Sequence, residues 1–262
     1  MPFPDAPRVI YDKNPLDRVI CQVRFPSILG IDANPPADFQ EEIRAEFPEF
    51  REKDEPQIIL PRKIQSEFPQ DIIRQLMPSD VKNYEFASAD NNWCVNLTRT
   101  FLSLSAKIYT RRFEFQGKLS QPLAALNKIY RPSYFSRIGL RYIDIIDRSK
   151  LNLGGVSWNN LLQPRILGLL GANEINQEIH AAECKYEIQL DDRGNNVRII
   201  TKLVTSDDNE ERFVIDSDFF RSVKTDINNV IETLNFFHET AFRLMRWLIT
   251  DRLHNAMEPR LI

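Results

Sequence analysis

Phe101-Leu102-Ser103-Leu104-Ser105-Ala106-Lys107-Ile108-Tyr109 is the stretch whose reading decides the fold. Leu102, Leu104, Ala106 and Ile108 alternate with Phe101, Ser103, Ser105 and Lys107. A period of two is that of a β-strand, whose successive side chains point to opposite faces. The alternation predicts an antiparallel strand with the leucine face in the core and the serine face in water. Working outward, Trp93-Cys94-Val95-Asn96-Leu97-Thr98 precedes it, and Tyr84-Glu85-Phe86-Ala87-Ser88 leads into the turn Asp90-Asn91-Asn92. Together these read as a three-stranded meander.

Upstream, Arg18 to Phe25 is rich in β-branched residues and forms a strand stopped by Pro26. Pro35-Pro36 opens a helix in which Phe39, Ile43 and Phe47 recur at spacing four, and Pro48 ends it. Residues 49–80 are polar and proline-punctuated, with short extended pieces such as Ile58-Ile59-Leu60. Downstream of the meander, Phe115, Leu119, Leu123, Leu126 and Ile129 share a helix face; Gly117 and Pro122 leave its start open, and Pro132 marks its end. Tyr134 to Ile146 is a further strand, and short helices follow between Trp158 and Leu170.

Tyr186–Leu190 and Val197–Val204 flank Asp191-Asp192-Arg193-Gly194-Asn195-Asn196, a hairpin signal. Phe213-Val214-Ile215 reads as a third strand, after which Asp216-Ser217-Asp218 offers N-cap residues to a helix. Val223, Ile227, Val230, Ile231, Leu234 and Phe237, then Ala241, Leu244, Leu248 and Met257 keep helical spacing, as one long helix or two bent near Asn235. Strands cluster in hairpins, so the class is α+β: a large, mostly antiparallel sheet packed by helices, including a long C-terminal one. The expected organisation is two halves, 1–150 and 151–262, in one compact unit. A meander followed by a helix recurs in both, which leaves an internal duplication open.

The chain has 262 residues, 42% hydrophobic and 27% charged, enough for a core of full size. A net charge of -3 argues against a surface made for nucleic acid or anionic lipid, and leaves only local basic patches. No run of ~18 apolar residues exists, so no membrane partner is expected. Cys21, Cys94 and Cys184 form no CxxC pair, and the N-terminus has no signal-peptide pattern; a reduced, cytoplasmic protein is expected.

Glycine-rich phosphate loops are absent, as is a G-x-S-x-G elbow. His238-Glu239 begins like a zinc-protease motif, but Phe242 stands where the second histidine belongs. No catalytic residue and no cofactor is therefore assigned. Asp216 and Asp218 are the one weak metal alternative, since carboxylates at i and i+2 of a strand face one side; helix capping is the simpler account. Arg137-Ile138-Gly139-Leu140-Arg141 suggests an anion notch, with Arg137, Gly139 and Arg141 on one strand face and Arg99 and Lys107 adding charge nearby. The bland alternative is a wet face with cross-strand ion pairs. The adjacent pairs Phe219-Phe220 and Phe236-Phe237 cannot each bury both rings on one narrow helical stripe; with Trp247, Phe236 and Phe237 make a candidate protein-interaction surface.

Several segments carry a resemblance. Asn14-Pro15-Leu16 precedes the strand ending Val23-Arg24-Phe25; Phe86-Ala87-Ser88-Ala89-Asp90 precedes Val95-Asn96-Leu97; Arg137 to Tyr142 follows, and Ile215-Asp216-Ser217-Asp218-Phe219 stands late in the chain. Together they resemble a sporadically distributed, uncharacterised bacterial family of about this length, and the resemblance covers nearly the whole chain. It implies no catalytic residue. It does imply a genomic setting near defence or toxin–antitoxin genes. Two readings follow: a non-catalytic protein that binds a partner or itself, or a module or enzyme that takes an anionic ligand such as a nucleotide or RNA on the Arg137/Arg141 face.

Overall fold

The structure is a computed structural model and describes residues 2–53, 82–175, 178–206 and 209–261. The extended piece expected at Ile58-Ile59-Leu60 lies outside these residues. In chain order the first elements are β1 (Val9–Tyr11), β2 (Leu16–Arg24), α1 (Gly30–Ala33), α2 (Ala37–Ile43), β3 (Glu49–Lys53), β4 (Asn83–Ala87), β5 (Trp93–Thr98), β6 (Phe101–Ala106) and α3 (Arg112–Ile129). Then come β7 (Arg137–Asp147), α4 (Pro164–Leu167), β8 (Ala182–Gln189), β9 (Asn195–Thr205), β10 (Glu211–Arg221), α5 (Val230–Leu248), α6 (Asp251–Ala256) and β11 (Pro259–Leu261). Nine strands make one sheet in the order β3-β4-β5-β6-β2-β7-β10-β9-β8, and β1 pairs β11 in a separate ribbon. This is the α+β, largely antiparallel architecture that the hairpin pattern predicts.

The chain divides into two units that do not follow the halves of the sequence. The first is Arg18–Leu140 with Phe220–Leu234; the second is Met1–Asp17, Arg141–Phe219 and Asn235–Ile262. Most neighbouring strands are consecutive in the chain, but β2 lies between β6 and β7, and β7 lies beside β10, so strands from both halves of the sequence stand side by side.

In the first unit the meander keeps strict register. Phe86 lies opposite Val95, Val95 opposite Leu104, and Leu104 opposite Cys21. A second row runs Tyr84, Leu97, Leu102, Val23. All eight side chains are buried. Helices α2 and α3 pack on one another; Phe39 reaches Phe86 and Phe115 reaches Trp93, with ring centroids 5.5 and 5.8 Å apart. Leu104→Ala is expected to cost about 2–5 kcal/mol, because it opens a cavity in a row with no water to fill it. An unchanged urea midpoint would show that the row is not core.

Two details of this strand differ from the expectation. Ile108 lies beyond the end of β6 and is 67% exposed, because pairing with β2 and β5 stops at Ala106. The other face is not simply wet either, since Phe101 and Ser103 are buried. It carries a polar row in exact opposition across five strands: Arg51, Glu85, Asn96, Ser103 and Gln22. Helix α3 contains both Gly117 and Pro122 and starts at Arg112.

In the second unit the hairpin read at Asp191–Asn196 joins β8 to β9. The Asp191 carboxylate accepts from the backbone N–H groups of Arg193 and Asn195 at 2.9 and 3.2 Å. Gly194 takes φ +82°, the left-handed conformation that glycine adopts without strain. Phe237 packs on Phe219 and Phe219 on Tyr142, with centroids 6.2 and 6.4 Å apart.

The expected helix start at Asp216-Ser217-Asp218 is corrected: β10 continues through these residues to Arg221. Strand alternation fits Phe213, Ile215, Ser217 and Phe219 against Val214, Asp216, Asp218 and Phe220 equally well, and the partner strands decide. The capping role falls to Asp226, whose side chain accepts from Asn228 N–H at 2.8 Å and opens the turn leading into α5. The C-terminal helix is one uninterrupted element from Val230 to Leu248, Asn235 included. It breaks after Leu248, where Ile249 bridges Leu162 and Thr250 caps α6 by accepting from Leu253 N–H.

Candidate functional site

Strand β7 carries the residues that the sequence singles out. In the second unit, Arg141 donates through Nε to Asp216 Oδ1 at 2.6 Å and through Nη2 to Asp216 Oδ2. This is a two-pronged pair between neighbouring strands, with side chains 16% and 2% exposed. Burial works against the arginine's charge. The Asp216 carboxylate outweighs it and Asp218 adds to it, so the guanidinium pKa lies above its ordinary value. Two further ion pairs reach β10: Arg212 of β10 donates to Asp147 at the end of β7 at 2.9 Å, and Arg148, just past β7, to Glu211 of β10 at 2.9 Å. The guanidinium of Arg148 also sits 4.3 Å from the Trp158 ring centroid.

In the first unit, the guanidinium of Arg137 lies back over Gly139. A Cβ at position 139 would stand 2.3 Å from Arg137 Nη1. The same guanidinium is 5.2 Å from the Phe220 ring centroid. The glycine is therefore a seat for an arginine of its own strand, a close approach that any side chain at 139 would crowd. Arg99 pairs with Asp32 at 3.5 Å in the turn between β5 and β6, and Lys107 follows the opposite end of β6. These two cations are not brought together. Each arginine of the expected notch is engaged within its own unit.

Asp216 and Asp218 share a face of β10, as the i, i+2 spacing requires, but the cation they meet is Arg141. Among the described residues no group of three His, Cys, Asp or Glu side chains is placed to hold a metal ion. The aromatic candidates divide as well. Phe237 is a core residue, Trp247 packs against Phe3 and lies under Arg165, and Phe236 is half-buried beside Phe237. Phe219 and Phe220 are buried on opposite faces of β10, which resolves the crowding that a helix would impose.

Sequence reading missed a titratable cluster in the second unit. Tyr11 Oη is hydrogen-bonded to His254 Nδ1 at 2.8 Å, and Tyr142 Oη to His238 Nδ1 at 3.0 Å. Burial pushes the Tyr11 phenol up to about 12, with Arg246 opposing and Asp144 assisting. Burial, then the nearby Asp216 charge, raises the Asp144 carboxyl to about 7. The Tyr11–His254 pair spans 243 residues of sequence, and no local signal could have announced it. The exposed edge of β8 was missed too, although its alternating charges Glu183, Lys185 and Glu187 were legible.

No protein-family model matches the chain, and no curated protein or solved structure does. Among the described residues, no helix is long and apolar enough to cross a membrane.

Proposed function

We propose that this chain is a non-catalytic interaction protein. What supports this is the state of Arg141. The anion reading needs its guanidinium fork to be open, and both prongs are held by Asp216. An incoming phosphate or carboxylate would have to displace a buried carboxylate at the same geometry, a costly exchange in a site shielded from water. The resemblance to a bacterial family found near defence genes adds a setting: the partner is a protein encoded at the same locus.

The test is affinity capture of the tagged chain from its native cells, with mass spectrometry of co-purifying proteins and small molecules. A partner protein, or a second copy of the chain, in stoichiometric amount is expected. Thermal-shift screening against inorganic phosphate, nucleotides and short RNA should leave the melting temperature unchanged. A saturable shift that Arg141→Lys abolishes would overturn the proposal in favour of an anionic ligand, since lysine keeps the charge and loses the planar fork.

A further inference from the structure

We infer that the outer edge of β8 pairs with the same edge of a second copy of this chain, antiparallel about a two-fold axis at Tyr186. This rests on the interaction reading above and names one partner for it.

Strand β8 ends the nine-stranded sheet, and among the described residues no strand pairs with its outer edge. Its eight residues pair consecutively with β9, from Ala182 opposite Leu203 to Gln189 opposite Asn196. The strand therefore has no bulge, and it has no proline; the edge device it does carry is charge, in the exposed Glu183, Lys185 and Glu187, which keeps off strands that cannot match it. The direction of its backbone groups follows from the hairpin. Leu190 N–H donates to Asn195 O at 2.8 Å, in register with the β8–β9 ladder. Antiparallel pairs alternate, so Ala182, Cys184, Tyr186 and Ile188 bond to β9. Glu183, Lys185, Glu187 and Gln189 then aim their N–H and C=O groups outward, and all four are exposed.

A second β8 docking antiparallel must place outward-bonding residues opposite one another. Two registers give the greatest overlap. One centres on Lys185, setting Lys185 directly against its own copy, and like charges directly opposite are destabilising; the Glu183 and Glu187 that it also sets opposite one another are each held by β9, by Lys202 at 2.8 Å and Arg198 at 2.9 Å. The other centres on Tyr186, setting Lys185 against Glu187 on both sides of the axis. The same register places Glu183 opposite Gln189, Cys184 opposite Ile188, and Tyr186 opposite itself. Four hydrogen-bonding pairs would add about eight backbone bonds. Charge complementarity thus selects one register of an isologous interface.

The decisive experiment is sedimentation of the full chain and three variants over a concentration series. The wild type should be a dimer. Lys185→Glu should weaken dimerisation about tenfold or more, because attraction becomes repulsion on both sides of the axis. The charge swap Lys185→Glu with Glu187→Lys should restore it. Tyr186→Cys in a Cys184→Ser background should form an intermolecular disulfide on oxidation, the axis bringing two copies of residue 186 face to face. Circular dichroism and melting curves check that each variant is folded. A monomeric wild type, or a dimer unaffected by Lys185→Glu, would overturn self-pairing. If affinity capture then recovers a different protein, the interaction reading stands without it. A wild-type dimer cross-linked through Cys184 would overturn the register, since Cys184 meets its copy only when the axis passes through it.

Discussion

Asp216→Ala is expected to lower the unfolding free energy by about 3–5 kcal/mol, the cost of leaving a buried charge without its partner. Asp216 is almost fully buried and holds both prongs of Arg141. Its removal leaves a largely buried guanidinium without the carboxylate that meets both of its prongs. Asp218, which also acts on Arg141, is exposed enough to recover only part of the loss. Replacing both partners by apolar residues, Arg141→Met with Asp216→Val, should restore much of the stability, because the desolvation cost disappears with the attraction. Urea unfolding of the parent, Arg141→Met, Asp216→Val and the double closes a cycle that isolates the pair. A loss under about 1 kcal/mol for Asp216→Ala, the range of exposed ion pairs, would show that the fork is open to solvent. The functional proposal would then lose its support.

The second large effect is a pH dependence. Burial and the Asp216 charge raise the Asp144 carboxyl from 3.8 to about 7 in the folded chain. Between these values the folded state holds a proton that the unfolded chain has released. Stability from this group therefore falls as pH rises from about 4 to about 7, and is level above that. Asp144→Asn removes the titration. The variant should match the parent near pH 4 and exceed it at pH 8 by about 2–4 kcal/mol, the lower figure allowing for a side chain that is not fully buried. Melting curves of both proteins at several pH values measure this directly. Parallel curves across the range would mean that Asp144 ionises normally.

Legibility followed the range of the forces. The alternation at Leu102, Leu104 and Ala106 reports burial on one sheet face, and the structure buries those three residues. The helix at Phe39 and Ile43, which ends at Ile43 so that Phe47 is buried just beyond it, and the turn at Asp191–Asn196 were readable because each motif is complete within a few residues. Asp216-Ser217-Asp218 was misread for the same reason. Taken locally, it offers caps to a helix; in the sheet, Asp216 meets Arg141 across a strand pair 75 residues away. The surroundings of the two arginines of β7 were not legible either. Strand alternation placed the side chains on the right face, and could not say that Arg137 folds over Gly139 or that Arg141 is held by a carboxylate.

By itself the sequence determined the fold class, most of the strands, the meander and the buried leucine face of its last strand, and the lack of local catalytic motifs. These depend on periodicity and turn chemistry, which act between residues close in the chain. Only the tertiary structure decided where the charges go, which unit each segment joins, and which strand ends the sheet. Those outcomes depend on desolvation and pairing between residues far apart in sequence. Arg141 is a ligand-binding candidate in water and a structural cation beside Asp216, and the difference is the dielectric and the partner that folding supplies.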